Sequence, residues 1–179
     1  MNPIELIHKY YQDNPQCEEI LLTHSRQVAD MVLQINDAHP ELQMNRDFLY
    51  EAAMLHDIGI VRCDAPSIFC MGKEPYIRHG VEGAEMLRRE GLPQHARVAE
   101  RHTGTGLTVD QIRNQQLPLP LQDFSPETLE EQAICYADKF FSKSHLDEKK
   151  SYERILKSLD WFGHEGVERF QYWHEIFGI

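Results

Sequence analysis

The chain has no wholly apolar run longer than a few residues, whereas a membrane-spanning helix needs about 20. It is short of positive charge as well. Eighteen Lys and Arg stand against 29 Asp and Glu, a formal net charge of −11, and nonspecific partners such as nucleic-acid polymers or anionic membranes want basic surface. Neither is expected as a partner. The four cysteines, Cys17, Cys63, Cys70 and Cys135, form no CxxC pair, and nothing at the N-terminus resembles a signal peptide. A reduced cytoplasmic setting is therefore expected, with the thiols buried or in loops. Strand-like alternation, internal repeats and low-complexity linkers are also missing. What remains is one domain over residues 1–179, large enough for a hydrophobic core without disulfides.

What is present is helical periodicity. Ile4, Leu6, Ile7, Tyr10 and Tyr11 mark a first helix that Asn14-Pro15 ends. Ile20, Leu21, His24, Val28, Met31, Val32 and Ile35 recur at steps of three and four, with a close near Ala38-His39-Pro40. Asn45 caps a third helix running to His56, and Gly59 is read as its stop. Residues 60–76 read as a loop, followed by helices over 77–90 and 94–102. Residues 104–124 read either as one long loop or as a loop enclosing a short helical turn near Val109–Asn114. Ser125-Pro126-Glu127 has the composition of a helix start. Two further segments, 148–162 and 165–177, pack on a core spanning about 20–145, and the fold class is an all-α bundle. Trp161, Phe162, Phe170, Tyr172, Trp173 and Phe177 read as core or dimer packing, which leaves a homodimer open.

Chemistry enters at residues 54–59, Met-Leu-His-Asp-Ile-Gly. An adjacent His56-Asp57 pair at the end of an apolar helix asks for a cation, because an unpaired buried carboxylate costs several kcal/mol or more. Further ligands lie on both sides. His24 shares the inward stripe of its helix, His79 opens a helix, His102 closes one, and Asp138 lies in an apolar segment beside Phe140-Phe141. Each has an ordinary explanation: a hydrogen-bonded core histidine, a helix cap, or a salt bridge from Asp138 to Arg26, Arg101 or Lys139. One explanation covers all six, namely imidazole and carboxylate ligation of one or two divalent transition metals. Fe, Mn, Co, Ni and Zn all suit that donor set.

His24, His56-Asp57, His79, His102 and Asp138, taken in order, resemble the H…HD…H…H…D pattern of the HD superfamily of metal-dependent phosphohydrolases. His56-Asp57-Ile58-Gly59 resembles its HDIG subgroup. The likeness extends to His79-Gly80, Gly83-Ala84 and Ala137-Asp138-Lys139, although Ile60 stands where a lysine often follows the motif. The resemblance implies a first metal on His24, His56, Asp57 and Asp138, and a second on His79 and His102 with Asp57 bridging. It implies hydrolysis of a phosphate ester or anhydride by a metal-bridging hydroxide, with Asp57 and His56 at the catalytic centre.

A small phosphorylated substrate is expected, a nucleotide or another metabolite, and dinucleoside polyphosphates are one specific case among similar proteins. Candidate substrate contacts are Arg78, Arg101, Thr103, Lys139, Ser142 and Lys143, all close in sequence to a ligand. Two alternatives share the residues: a mixed-valent di-iron oxygenase of the HD fold, and a noncatalytic binding module.

Overall fold

In the computed structural model, residues 1–160 and 163–179 are described; the end of the expected 148–162 segment, with Trp161 and Phe162, lies outside them. The bundle contains α1 (Pro3–Tyr11), α2 (Pro15–Ala38), α3 (Arg46–Leu55), α4 (His79–Arg89), α5 (Pro93–Arg101), α6 (Val109–Asn114), α7 (Leu129–Asp138), α8 (Tyr152–Asp160) and α9 (His164–Phe177). The all-α class holds. Among the described residues, no helix is long and apolar enough to cross a membrane.

Local chemistry sets the boundaries. Asn14 caps α2 by accepting from the Cys17 amide, with Pro15 in the first turn, so this helix starts five residues before the apolar stripe at Ile20. Asn45 caps α3 by accepting from the Phe48 amide, as its side chain predicts. The Ser125-Pro126-Glu127 start is not used. Thr128 caps α7 instead and forms a capping box with Glu131, which satisfies two amide donors reciprocally. Helix α4 begins at His79, after a 3-10 turn over Tyr76–Arg78. Helix α8 begins at Tyr152, four residues later than the sequence suggested.

The 60–76 segment is ordered rather than a plain loop. A 3-10 turn, Ile58–Arg62, leads into a minimal hairpin in which β1 (Asp64–Ala65) pairs antiparallel with β2 (Cys70–Met71). Two-residue strands are too short to show alternation, so no periodicity marks them.

One contiguous apolar core runs from Ile7 on α1 to Phe177 on α9. Helix α2 packs on α3 and α7, α4 packs on α5, and α9 packs on α7. The last contact is aromatic: Tyr136 stacks on Phe170 with ring centroids 5.0 Å apart, and Phe170, Trp173 and Phe177 are all buried. With this packing, the end of α3, the start of α4 and the ends of α5 and α7 meet at the middle of α2.

Gly59 has a different role from the one its sequence position suggested. Helix α3 has already ended at Leu55, with His56 as its C-cap. A Cβ on Gly59 would lie 2.1 Å from the His79 carbonyl oxygen and 2.3 Å from the Gly83 amide nitrogen. The missing side chain lets the Asp57 turn press directly against the first turn of α4. Gly59 is thus a close-approach glycine that holds two parts of the site together.

Candidate metal centre

Six side chains from five stretches of chain converge at this junction, and all six are buried. His24 comes from the middle of α2, His56 and Asp57 follow the last turn of α3, His79 opens α4, His102 closes α5, and Asp138 ends α7. The two oxygens of Asp57 face different neighbours. Oδ2 lies 3.1 Å from His24 Nε2 and 3.0 Å from His56 Nε2. Oδ1 lies 3.4 Å from His79 Nε2 and 3.2 Å from His102 Nε2. Asp138 Oδ1 completes the first group, 3.0 Å from His24 Nε2 and 3.4 Å from His56 Nε2. The potential ligand atoms form two groups, His24/His56/Asp57/Asp138 and Asp57/His79/His102, each within 4.8 Å, and they share only Asp57.

Backbone carbonyls fix which ring nitrogen points inward. His56 Nδ1 donates to Ala53 O at 2.6 Å, His79 Nδ1 to Tyr76 O at 2.7 Å, and His102 Nδ1 to Ala99 O at 2.7 Å. A carbonyl oxygen only accepts, so each Nδ1 carries a hydrogen; His79 and His102, which burial keeps neutral, therefore turn a bare Nε2 lone pair inward, and His56 does so once its Nε2 proton is lost. Such outer bonds are how ligating histidines are oriented.

The consequence is sharpest at His79 and His102, whose Nε2 atoms are 3.0 Å apart. With both hydrogens on Nδ1, two lone pairs face each other with no proton between them. Asp57 Oδ1 and His56 Nε2 also lack a well-aligned hydrogen bond despite the short distances. Buried polar atoms in native proteins are nearly always satisfied, and donors that converge without pairing fit a cation at their centre. The residues present therefore fit divalent metals.

The electrostatics of the ligands point the same way. Burial alone would lower His56, but Asp57 and then Asp138 outweigh it and lift the ring to about 9. His79 is pushed down to about 3, first by burial and then by neighbouring His102. Burial alone would raise Asp57, yet Lys143 and His56 hold it well below the usual carboxylate range. Asp138 is held low against burial by Lys139 first and then by His24 and His56.

A cavity of about 390 Å³ opens onto the cluster at His79, His102 and Asp138. Of the six expected substrate contacts, Thr103, Lys139, Ser142 and Lys143 line it. Lys143 Nζ lies 2.5 Å from Asp57 Oδ2, and Lys139 Nζ lies 2.6 Å from Asp138 Oδ2. Arg78 and Arg101 do not line the cavity. Arg78 binds Glu82, Glu74 and the Pro118 carbonyl. Arg101 binds the Ser125 carbonyl and Glu127, clamping the segment before α7. Position 60 supplies no cation, since Ile60 is fully buried in the core; the lysine at Asp57 arrives instead from beyond α7.

The sequence did not single out Tyr76 or Lys150, which also line the cavity. Tyr76 stacks on His79 with ring centroids 4.8 Å apart, and its place three residues before a ligand was the available signal. Lys150 is brought in by the chain after α7 and carried no signal. His95 is buried away from the cluster, where it binds Glu51 at 3.2 Å and meets Phe48 edge-on.

A helical bundle holding two adjoining buried His/Asp groups has the donor set to hold metal ions between its helices. A family model described as HD domain matches residues 21–142, and the chain belongs to that family. Over 156 residues it is 30% identical to a tRNA (cytidine(56)-2'-O)-methyltransferase of Picrophilus torridus, covering 82% of this chain and 41% of the relative. A protein with the same description from Thermoplasma volcanium is 27% identical over 78% of this chain and 35% of its own length. The chain thus spans about two fifths or less of these two relatives. An uncharacterized protein of Methanocaldococcus jannaschii is 32% identical over 68% of this chain and 66% of its own length. No solved structure matches significantly.

Proposed function

We propose that the chain is a metal-dependent phosphohydrolase that cleaves an ester or anhydride bond of a small phosphorylated substrate, a nucleotide being the leading case. The observation that carries this reading is the division of Asp57, one oxygen toward His24 and His56 and the other toward His79 and His102. A carboxylate so placed is suited to bridge two cations. His24, His56 and Asp138 would hold one, and His79 and His102 the other. Such a pair activates water near neutral pH and neutralises charge on a phosphoryl group undergoing in-line displacement.

The remaining work falls to the chain's own side chains. Lys143 sits at the cavity edge of Asp57. With cations held at Asp57, the Lys143 ammonium would be free for a substrate oxygen. Lys139 is placed likewise at Asp138, and its hydrogen bond to the His102 carbonyl at 3.0 Å fixes its position. These ammoniums supply the local positive field that a protein of net charge −11 needs to admit an anion. Ser142 and Thr103 offer hydroxyls for orientation. Ala65, Ser67 and Ile68 complete the cavity lining.

The methyltransferase description belongs to longer relatives, most of whose length has no counterpart here. Fold likeness does not carry an activity across. The test is a panel of phosphorylated metabolites incubated with protein loaded with Mn, Fe, Co, Ni or Zn. Metal-dependent phosphate release that chelation stops is the expected result. Oxygen consumption with a mixed-valence iron signal and no phosphate release would replace this reading with an oxygenase. Methyl transfer from S-adenosylmethionine to tRNA without phosphate release would overturn it as well.

A further inference from the structure

The four cysteines behave in two ways. Cys63 Sγ points at the Gly59 carbonyl at 3.7 Å, and Cys135 Sγ at the His102 carbonyl at 3.4 Å. Burial pushes each of these thiols up to about 12, so both are inert fillers of the core. Cys17 and Cys70 instead touch each other. Their sulfurs are 2.9 Å apart across 53 positions of sequence, less than ~1 Å beyond the ~2.05 Å length of a disulfide bond.

We propose that Cys17 and Cys70 are a disulfide-forming pair that fastens the β1–β2 hairpin to the first turn of α2 and so fixes one wall of the cavity. The hairpin is already tied there by a second contact: the Asn14 side chain donates to the Phe69 carbonyl at 2.7 Å. Phe69 itself takes a left-handed backbone, φ 58°, which a bulky residue adopts only when its surroundings enforce it. Between the strands lie Ser67 and Ile68, which line the cavity together with Ala65. A covalent tie at Cys70 therefore acts on the wall through two intervening residues at most. This inference is independent of what the cavity binds.

The two sulfurs are also differentiated. Cys17 is the third residue of α2, where helix amides favour a thiolate. The hydrogen bond from the Cys70 thiol lowers Cys17, and the same bond raises Cys70. With hydrogen peroxide as oxidant, the Cys17 thiolate attacks one oxygen and the O–O bond breaks. Hydroxide leaves and takes up the proton that Cys17 released, giving water and a sulfenic acid on Cys17. The Cys70 sulfur then attacks that sulfur, its proton leaves with the hydroxyl as a second water, and the S–S bond closes. Two thiols are oxidised by two electrons in all, and one peroxide is reduced to two waters. Both sulfurs are fully buried, so the first step waits on opening of the hairpin.

The full chain, reduced and then exposed to hydrogen peroxide, is alkylated, digested with trypsin and analysed by mass spectrometry without reductant. The expected product joins peptide 10–26 to peptide 63–73 and separates on addition of dithiothreitol. Because peptide 63–73 holds both Cys63 and Cys70, the variants Cys63→Ser and Cys70→Ser decide the partner: the first keeps the link and the second loses it. Amide hydrogen exchange over residues 64–71 should slow on oxidation of the parent chain and stay unchanged in Cys17→Ser. Parent chain that keeps its native circular dichroism yet forms no link, or links through Cys63 or Cys135, would overturn the pairing. A link that leaves exchange over 64–71 unchanged would overturn the fastening.

Discussion

Replacing Gly59 with alanine tests how fold and site are joined. The added Cβ would lie 2.1 Å from His79 O, 2.3 Å from Gly83 N and 2.8 Å from Gly83 Cα. Real contacts of this kind essentially never fall below 3.0 Å, so the first turn of α4 must withdraw by roughly 1 Å. All three atoms are backbone, and no rotamer change can absorb the clash. Overpacking of this sort costs about 1–3 kcal/mol, which for a chain of this size lowers the melting temperature by about 3–10 °C.

The displaced residue is His79 itself. Disturbing what orients a metal ligand typically costs about 10–100-fold in affinity, so the loss should fall on the His79/His102 half of the centre. Calorimetric titration with Mn or Zn should show two classes of site in the parent chain. In Gly59→Ala, one class weakens by about 10–100-fold while the other, on His24, His56 and Asp138, changes far less. A variant with an unchanged melting curve and two unchanged affinities would refute the close-approach argument.

His56 keeps its proton up to about pH 9 in the metal-free fold. A cation that takes its Nε2 must expel that proton, so affinity should rise about tenfold per pH unit below that value and level off above it. Titrations in buffers of different ionisation heat would expose the released proton, and affinity that does not vary with pH would count against His56 as a ligand. Lys143→Met removes a cation that competes for Asp57, so metal should bind at least as tightly while substrate KM rises several-fold. Weakened metal binding in this variant would mean that Lys143 supports the centre rather than the substrate. Thr128→Ala should lower stability by ~1 kcal/mol in denaturant unfolding, whereas Ser125→Ala should stay within about 0.5 kcal/mol. The reverse order would restore Ser125 as the cap.

How much of this was legible follows from how each feature is encoded. The six candidate ligands were readable because ionisable side chains on buried helical faces stand out against an apolar stripe, as His24 does between Leu21 and Val28. Helix caps that depend on one side chain were readable too, and Asn45 is the example. Where two start signals compete, as at Ser125 and Thr128, the decision rests on which carboxylate reaches back, and Glu131 does so from three residues on. The hairpin at 64–71 and the role of Gly59 rest on tertiary approach of backbone to backbone, which no local pattern records. The same holds for Lys150, for the Cys17–Cys70 contact, and for the carbonyls of Ala53, Tyr76 and Ala99 that orient three histidines. Every residue has a carbonyl, so nothing in the side-chain code marks these three.

The central claim, that Asp57 is shared between two cation sites, is tested most directly by metal stoichiometry in the parent chain and in Asp57→Asn. That variant keeps the size of the side chain and removes its charge. Equilibrium dialysis against Mn or Zn, followed by elemental analysis, should give two equivalents per parent chain and a loss at both sites in Asp57→Asn, with native circular dichroism in each. Two tightly held equivalents in folded Asp57→Asn would contradict the claim.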